Sequence, residues 1–92
     1  MNTRTRYQLA DGVAVRPERF GGLVYHYHDR RLYFLHSHEL TDFVTGLTGE
    51  QPLAEAIDAF REQRSLPPET GETILRSLAA LEKLGLLVPV PS

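Results

Sequence analysis

Four histidines in one short stretch are the residues with the most obvious capacity for chemistry. They form two H-x-H pairs, His26 with His28 and His36 with His38, inside LVYHYHDRRLYFLHSH, residues 23–38. Imidazole is a common zinc ligand, and a zinc site takes three or four protein ligands. A metal site would therefore need more than one pair to converge on one ion.

The histidine pairs lie on a predicted β-hairpin. Residues 23–28 and 31–35 are rich in aromatic and branched side chains, which favours two strands. Asp29-Arg30 is the polar link between them, and we expect a two-residue turn at this link. Because side chains alternate between the faces of a strand, this register decides which residues meet.

In this register His26 and His28 point away from the face that carries His36. Histidines on two faces of a sheet cannot bind one ion, and a pair alone is short of the ligands that zinc takes. His38 and Asp42 are four residues apart, which is typical of a contact on a helix surface. We therefore expect no metal site and no cofactor.

One face of the predicted hairpin is assigned to the core. Tyr33 and Leu35 lie on the other face, where no core role is evident. The predicted core face consists of Leu23, Tyr25, Tyr27, Leu32 and Phe34.

No catalytic arrangement stands out. Ser37 lies between His36 and His38, which resembles a nucleophile beside a base, but serine is also a preferred helix N-cap. A catalytic triad is recognised by geometry that spacing alone does not supply. The phosphate-binding pattern G-x-x-x-x-G-K-[ST] does not occur. We expect a protein that is not an enzyme.

Composition narrows the function classes. The 92 residues, expected to form a single domain over 1–92, contain no cysteine, which excludes disulfides and thiolate metal sites. Net charge is −2, with six arginines and three acids in residues 1–31 and four bases and nine acids in residues 32–92. We expect a cytoplasmic protein without a membrane segment, because no apolar run approaches the length of a span.

The second part of the chain has helical periodicity. Apolar residues recur at i, i+3, i+4 and i+7, which predicts helices over 38–47, 53–63 and 69–84. Ser37 is the expected N-cap of the first helix, and Gly85 is the expected left-handed residue after the third.

Strands followed by helices indicate an α+β fold. Strands over 13–17, 23–28 and 31–35 are expected to form an antiparallel meander that the three helices cover. Residues 86–91 then leave the last helix as an extended tail. This order is also compatible with a winged-helix-like arrangement.

The segment 31–35, RLYFL, is unusually apolar for an edge strand and has no proline to block pairing. A helix or the C-terminal tail could cover it, a second copy could pair with it, or a peptide could add to it as a further strand. The third helix has more apolar width than one stripe requires and could form a groove beside this edge.

Several segments resemble the mycofactocin precursor-peptide chaperones, which are recognition-element domains similar to the pyrroloquinoline quinone peptide chaperone. The resemblance covers nearly the whole chain and is specific in residues 13–35. It rests on VAVRPE (13–18), FGGLVYHY (20–27), RRL (30–32), FL (34–35) and LLVP (86–89).

The resemblance implies a winged-helix-like domain that binds the leader of a precursor peptide as an added strand, between its third strand and third helix. A radical S-adenosylmethionine maturase then modifies the peptide, and the iron–sulfur chemistry belongs to that partner. The resemblance leaves open a monomer or a dimer. By position, the implied peptide-binding residues are Arg31, Leu32, Tyr33, Phe34 and Leu35 on the strand, and Ile74, Leu75, Leu78, Ala79 and Glu82 on the helix.

The alternative is a winged-helix DNA-binding regulator, because a fold does not fix a function. A recognition helix is normally basic, yet the third helix sets Arg76 and Lys83 against Glu69, Glu72 and Glu82. We therefore expect no nucleic-acid partner. An acidic leader peptide or the maturase is the expected partner of four arginines, Arg16, Arg19, Arg30 and Arg31.

Overall fold

Strands precede helices along the chain, with one further strand at the end. The computed structural model describes residues 1–91. The predicted α+β class, with antiparallel strands before three helices, is confirmed, and winged-helix-like is a description of this order. In chain order the elements are β1 (Tyr7–Leu9), β2 (Val13–Glu18), β3 (Gly21–His26), β4 (Leu32–Leu35), α1 (His38–Thr45), α2 (Leu53–Arg64), α3 (Pro68–Lys83) and β5 (Leu87–Pro89).

A two-stranded sheet joins the two ends of the described chain. β1 pairs with β5 in antiparallel fashion, with Tyr7 opposite Pro89 and Leu9 opposite Leu87. This pairing corrects the prediction of a free extended tail over 86–91. Strands of three residues carry too little alternation to be recognised from sequence, and here the partner strand lies at the far end of the chain.

The central sheet has the strand order β2-β3-β4 and is antiparallel throughout. In its second hairpin Leu23 faces Phe34 and Tyr25 faces Leu32. The two-residue turn predicted at Asp29-Arg30 would pair Tyr25 with Phe34, so the predicted register is wrong by two residues. Because the offset is even, every side chain keeps its predicted partners on the same face.

Local hydrogen bonds explain this wider turn. Oδ1 of Asp29 accepts the N–H of Arg31 at 2.9 Å, and Nδ1 of His26 accepts the N–H of His28 at 3.1 Å. Bonds of this kind, from a side chain to the main chain two residues away, stabilise turns in competition with regular pairing. The wider turn that these hydrogen bonds stabilise takes the place of the predicted two-residue turn.

The buried face of the central sheet is the opposite of the predicted one. Val24 and Leu35 are fully buried and Tyr33 packs against the core, whereas Leu32 and Phe34 are 46% and 48% exposed. The sequence prediction is therefore wrong for the whole set, Leu23, Tyr25, Tyr27, Leu32 and Phe34.

Two glycines allow close packing around β3, Gly22 against α1 and Gly21 against the main chain at the end of β4. A Cβ at Gly22 would approach the Thr41 side chain of α1 to 2.5 Å. Gly21 has φ of 145°, and a Cβ there would overlap the Leu35 carbonyl. The close approach of α1, which only glycine permits, therefore decides which face of the sheet is covered.

Both predicted helix ends are confirmed. Oγ of Ser37 accepts the N–H of Leu40 at 3.2 Å and caps α1. Gly85 has φ of 77°, and the N–H of Leu86 donates to the carbonyl of Leu81 at 2.9 Å. This is the Schellman arrangement that ends many helices.

The first residues of the chain cap α2. Its N-cap, Pro52, makes no side-chain hydrogen bond. The N–H groups of Leu53 and Ala54 instead donate to the carbonyls of Thr5 and Thr3 at 3.0 and 2.9 Å. Because these N–H groups have no partner within the helix, the residues before β1 are held against α2.

Each helix contributes one apolar stripe to a shared core beneath the central sheet. The buried hydrophobic residues are Leu40, Phe43 and Val44 from α1, Leu53 and Ile57 from α2, Ile74, Leu78 and Leu81 from α3, together with Tyr7, Val24, Leu35, Leu86 and Leu87.

We expect Gly22→Ala to lower the free energy of unfolding by about 1–3 kcal/mol, because the added methyl group forces α1 away from β3. Gly46→Ala is the matched control, since a Cβ there meets the Asp42 carbonyl at an ordinary 3.5 Å. Urea unfolding monitored by circular dichroism measures the difference. Equal unfolding midpoints for the two variants would contradict the role of Gly22.

Candidate functional site

β4 is an edge strand that pairs only with β3 among residues 1–91. The N–H of His26 donates to the carbonyl of Arg31 at 3.1 Å, which fixes the positions that bond to β3. Hydrogen bonds alternate along an antiparallel strand. The N–H and C=O groups of Leu32 and Phe34 therefore point to the open edge.

The opposite edge of the same sheet is blunted. The N–H of Tyr27 donates to the carbonyl of Gly12 at 2.8 Å, so Val13, Val15 and Pro17 direct their main chain outward from β2. Proline has no N–H, and the N–H of Val13 is already bonded within the preceding turn. Of the two edges of this sheet, β4 is thus the one that offers consecutive outward donors and acceptors to a further strand.

α3 runs beside β4 in the opposite direction, and the two elements are linked at both ends. At one end Nη1 of Arg31 donates to the carbonyl of Leu84 at 3.1 Å. At the other end Ser37, which follows β4, and Ile74 of α3 line one cavity of about 210 Å³. Between these points the extended segment 31–37 is about 20 Å long and the helical segment 74–84 is about 15 Å long. The two end points place these segments in opposite directions, and we call the space between them the groove.

The cavity is built from the first turn of α1 and the first turns of α3. Of the ten residues predicted to bind peptide, Ile74 alone lines it. Its lining consists of Ser37, Glu39, Leu40, Glu69, Thr70, Thr73 and Ile74.

Part of the predicted helix wall lies on the side of α3 away from β4. At about 100° per residue, Leu75, Ala79 and Glu82 project to one side of Ile74. The structure places Leu75 in a different cavity, which it shares with Ile57 of α2. Leu75, Ala79 and Glu82 therefore lie on a different side of α3 from Thr70 and Thr73.

The side of α3 toward β4 carries small polar residues instead. Thr70 and Thr73 line the cavity, Leu84 contacts Arg31, and Ser77 lies at the helical position between them. The signal in the sequence is the spacing i, i+3 and i+7 of Thr70, Thr73 and Ser77. A search for apolar spacing misses these three residues, because apolar spacing identifies the buried face of the helix.

The remaining predicted residues divide between backbone and core. Leu35 and Leu78 are fully buried, so their side chains belong to the core. Tyr33 is half-buried on the same face as Leu35, whereas Leu32 and Phe34 are exposed on the outer face. Only the last two also present main-chain groups to the open edge.

Charge is distributed unevenly along the groove. Arg30 and Arg31 are exposed at the start of β4, whereas Glu39 and Glu69 line the cavity near its end. The N–H of Arg31 lowers the pKa of the Asp29 carboxyl, and the Arg31 guanidinium adds to this effect from 2.8 Å. Asp29 is thus held as a carboxylate that fixes Arg31 at the end of the groove.

The histidines lie where alternation puts them. The rings of His26 and His28 are 5.8 Å apart, while His36 contacts Phe20 at 6.1 Å between ring centroids. Within residues 1–91 no group of three or more histidine, aspartate or glutamate side chains could hold a metal ion.

Comparison with known proteins identifies the family. Residues 6–88 match the model described as the peptide chaperone MftB family. The chain belongs to this family. The peptide chaperone MftB of Mycolicibacterium smegmatis (strain ATCC 700084 / mc(2)155) is 31% identical over 83 residues, which cover 90% of this chain and 78% of the relative. No solved structure matches the chain.

Family membership confirms the resemblance to the mycofactocin peptide chaperones and gives the chain a chaperone role in mycofactocin biosynthesis. The family match spans both β4 and α3, so the groove described above lies inside it. A chaperone of this family implies a precursor peptide as partner. No helix within the described residues is long and apolar enough to cross a membrane.

We expect Asp29→Asn to loosen the turn between β3 and β4 and to speed amide hydrogen exchange at Arg31, because a weaker acceptor replaces the carboxylate. In the unchanged protein this stabilisation is present above the ordinary carboxyl pKa of about 3.9 and is lost as pH falls through the lower folded value. NMR of the Arg31 amide during acid titration measures it. Asp11→Asn, in the turn between β1 and β2, is the control, and equal exchange rates in both variants would contradict the role of Asp29.

Proposed function

We propose that this protein binds the leader of a ribosomally made precursor peptide as an additional strand on the open edge of β4. The bound peptide lies in the groove beside α3 and is presented to a radical S-adenosylmethionine maturase. The observation that carries the proposal is the contrast between two edges of one sheet. Pro17 blunts the edge of β2, whereas Leu32 and Phe34 leave four main-chain groups free to pair at β4.

The geometry supports affinity that depends little on peptide sequence. Each main-chain hydrogen bond contributes about 0.5–1.5 kcal/mol net, whichever side chains the peptide carries. Selectivity then comes from alternate side chains of the peptide, one set facing Thr73 and Ser77 and the other set facing solvent beside Phe34.

Charge favours one arrangement of an acidic leader. Acidic side chains are attracted to the end of the groove at Arg30 and Arg31 and repelled from Glu39 and Glu69 at the other end. If the peptide pairs in antiparallel fashion, its acidic residues lie toward the C-terminal end of the paired segment.

The protein itself performs no catalysis in this proposal. The chain contains no cysteine, so it offers no thiolate for an iron–sulfur cluster. Modification of the peptide is assigned to the maturase, and the chaperone contributes binding and orientation.

A titration of isotope-labelled protein with its precursor peptide tests the binding mode. We expect the amide signals of Leu32 and Phe34 to move most and their hydrogen exchange to slow, because these N–H groups gain partners. Large shifts confined to α2 would overturn strand addition, and a complete lack of shifts would overturn peptide binding.

Substitution by proline tests the main-chain contact. Phe34→Pro removes one outward N–H and is expected to weaken peptide binding by about tenfold or more, while pairing with β3 persists. Phe34→Ala keeps the N–H and separates the loss of the ring from the loss of the donor. Val15→Pro is the matched control at an outward position of β2. Calorimetry should show that Phe34→Pro weakens peptide binding more than Phe34→Ala does, whereas Val15→Pro leaves the peptide affinity unchanged. Equal losses of affinity in Phe34→Pro and Phe34→Ala would exclude a main-chain role.

A further inference from the structure

The outer face of the central sheet is aromatic. Phe20 and Tyr27, in the turns at its two ends, are 44% and 67% exposed. Phe20 packs edge to face on Phe34 with 5.7 Å between ring centroids, and Tyr25 packs in the same way on Tyr27 at 5.5 Å. With Leu32, these side chains form a connected surface that we call the aromatic face.

Exposed apolar surface is concentrated on this face. Within residues 1–91 the exposed large hydrophobic side chains number six, and four of them belong to the aromatic face. Single exposed apolar residues are normal in soluble proteins, whereas a connected patch marks an interaction site. The opposite face of the same sheet is already covered by α1.

Arginines border the aromatic face. Arg16 of β2 lies opposite Leu23 of β3. The Tyr27 hydroxyl raises the pKa of Tyr25, and the positive charge of Arg16 lowers that pKa in part. Arg16 pairs with Glu18 at 2.7 Å. No ion pair within residues 1–91 involves Arg19 or Arg30, which are exposed in the turns beside this face.

This charge selects the kind of partner. Two copies placed face to face would bring unpaired arginines together, which costs free energy. A protein surface that carries apolar side chains within an acidic rim would be complementary. The aromatic face also continues directly into β4, so a peptide strand added there would extend it with every second peptide side chain.

We propose that the aromatic face is the docking surface for the maturase, which contacts it through an apolar patch bordered by acidic side chains. This inference rests on the proposed function, because the bound peptide forms the outer margin of the surface. The maturase therefore contacts the chaperone and the peptide together and binds the loaded chaperone more tightly than the empty one. By linkage, the maturase raises the affinity for the peptide by the same factor.

The experiment uses residues outside β4, so that the peptide edge stays intact. We expect the double variant Phe20→Ser with Tyr27→Ser to bind the precursor peptide within about twofold of the unchanged protein and the maturase about tenfold less tightly. Ala54→Ser, at an exposed apolar position of α2 away from both surfaces, is the control and should alter neither affinity. Biolayer interferometry with immobilised maturase, with and without peptide, measures both.

Each outcome separates the two proposals. Unchanged maturase binding by the double variant, with peptide binding intact, would overturn the docking surface and leave the proposed function standing. If the unchanged protein does not bind the precursor peptide, the proposed function itself is overturned. If the unchanged protein sediments as a dimer and the double variant as a monomer, the aromatic face joins two copies and the proposal is wrong.

Charge reversal provides a second variant, which remains informative if the double serine variant fails to fold. Arg19→Glu with Arg30→Glu, measured without peptide because Arg30 also lies at the end of the groove, should weaken maturase binding. Raising the salt concentration should narrow the difference in affinity from the unchanged protein. Equal maturase affinities at low salt would contradict an acidic rim on the partner. Equal maturase affinities for loaded and empty chaperone would contradict the shared surface.

Discussion

The alternating direction of main-chain hydrogen bonds along β3 governs the rest of this structure. β3 directs alternate residues to β2 and to β4, which leaves Leu32 and Phe34 with outward groups at the free edge. The same register turns Val24 and Leu35 toward α1. A slip of one residue would exchange the buried and exposed faces and would also change which groups reach the edge. Binding edge, core and exposed patch are thus consequences of one pairing.

The parts of this fold that depend on local information are predictable from sequence. The Ser37 cap and the Gly85 terminator lie beside the helices they end, and apolar spacing locates the helices themselves. The buried face of the hairpin is not predictable in this way, because a helix packing over Gly22 decides it. The residues of α3 that line the groove are equally hard to predict from sequence. Apolar spacing locates the buried stripe at Ile74, whereas the accessible groove lies beside that stripe, at Thr73.

β4 can serve two partners because a strand has two independent sets of features. Its edge carries main-chain groups in the plane of the sheet, and its outer face carries Leu32 and Phe34 perpendicular to that plane. A ligand on the edge does not cover the side chains on the face. Sequence-tolerant recognition by the backbone and selective recognition by aromatic side chains can therefore occur at the same residues without competition.

The pairing of Tyr7 with Pro89 brings the first and last strands side by side. Opposite residues in an antiparallel pair have Cα atoms about 5 Å apart, so the polypeptide enters and leaves this domain at nearly one point. A domain with adjacent ends can be accommodated within a surface loop of a larger protein without spreading the ends of that loop. The short clasp of β1 and β5 therefore gives this fold the end-to-end geometry that insertion into a surface loop requires.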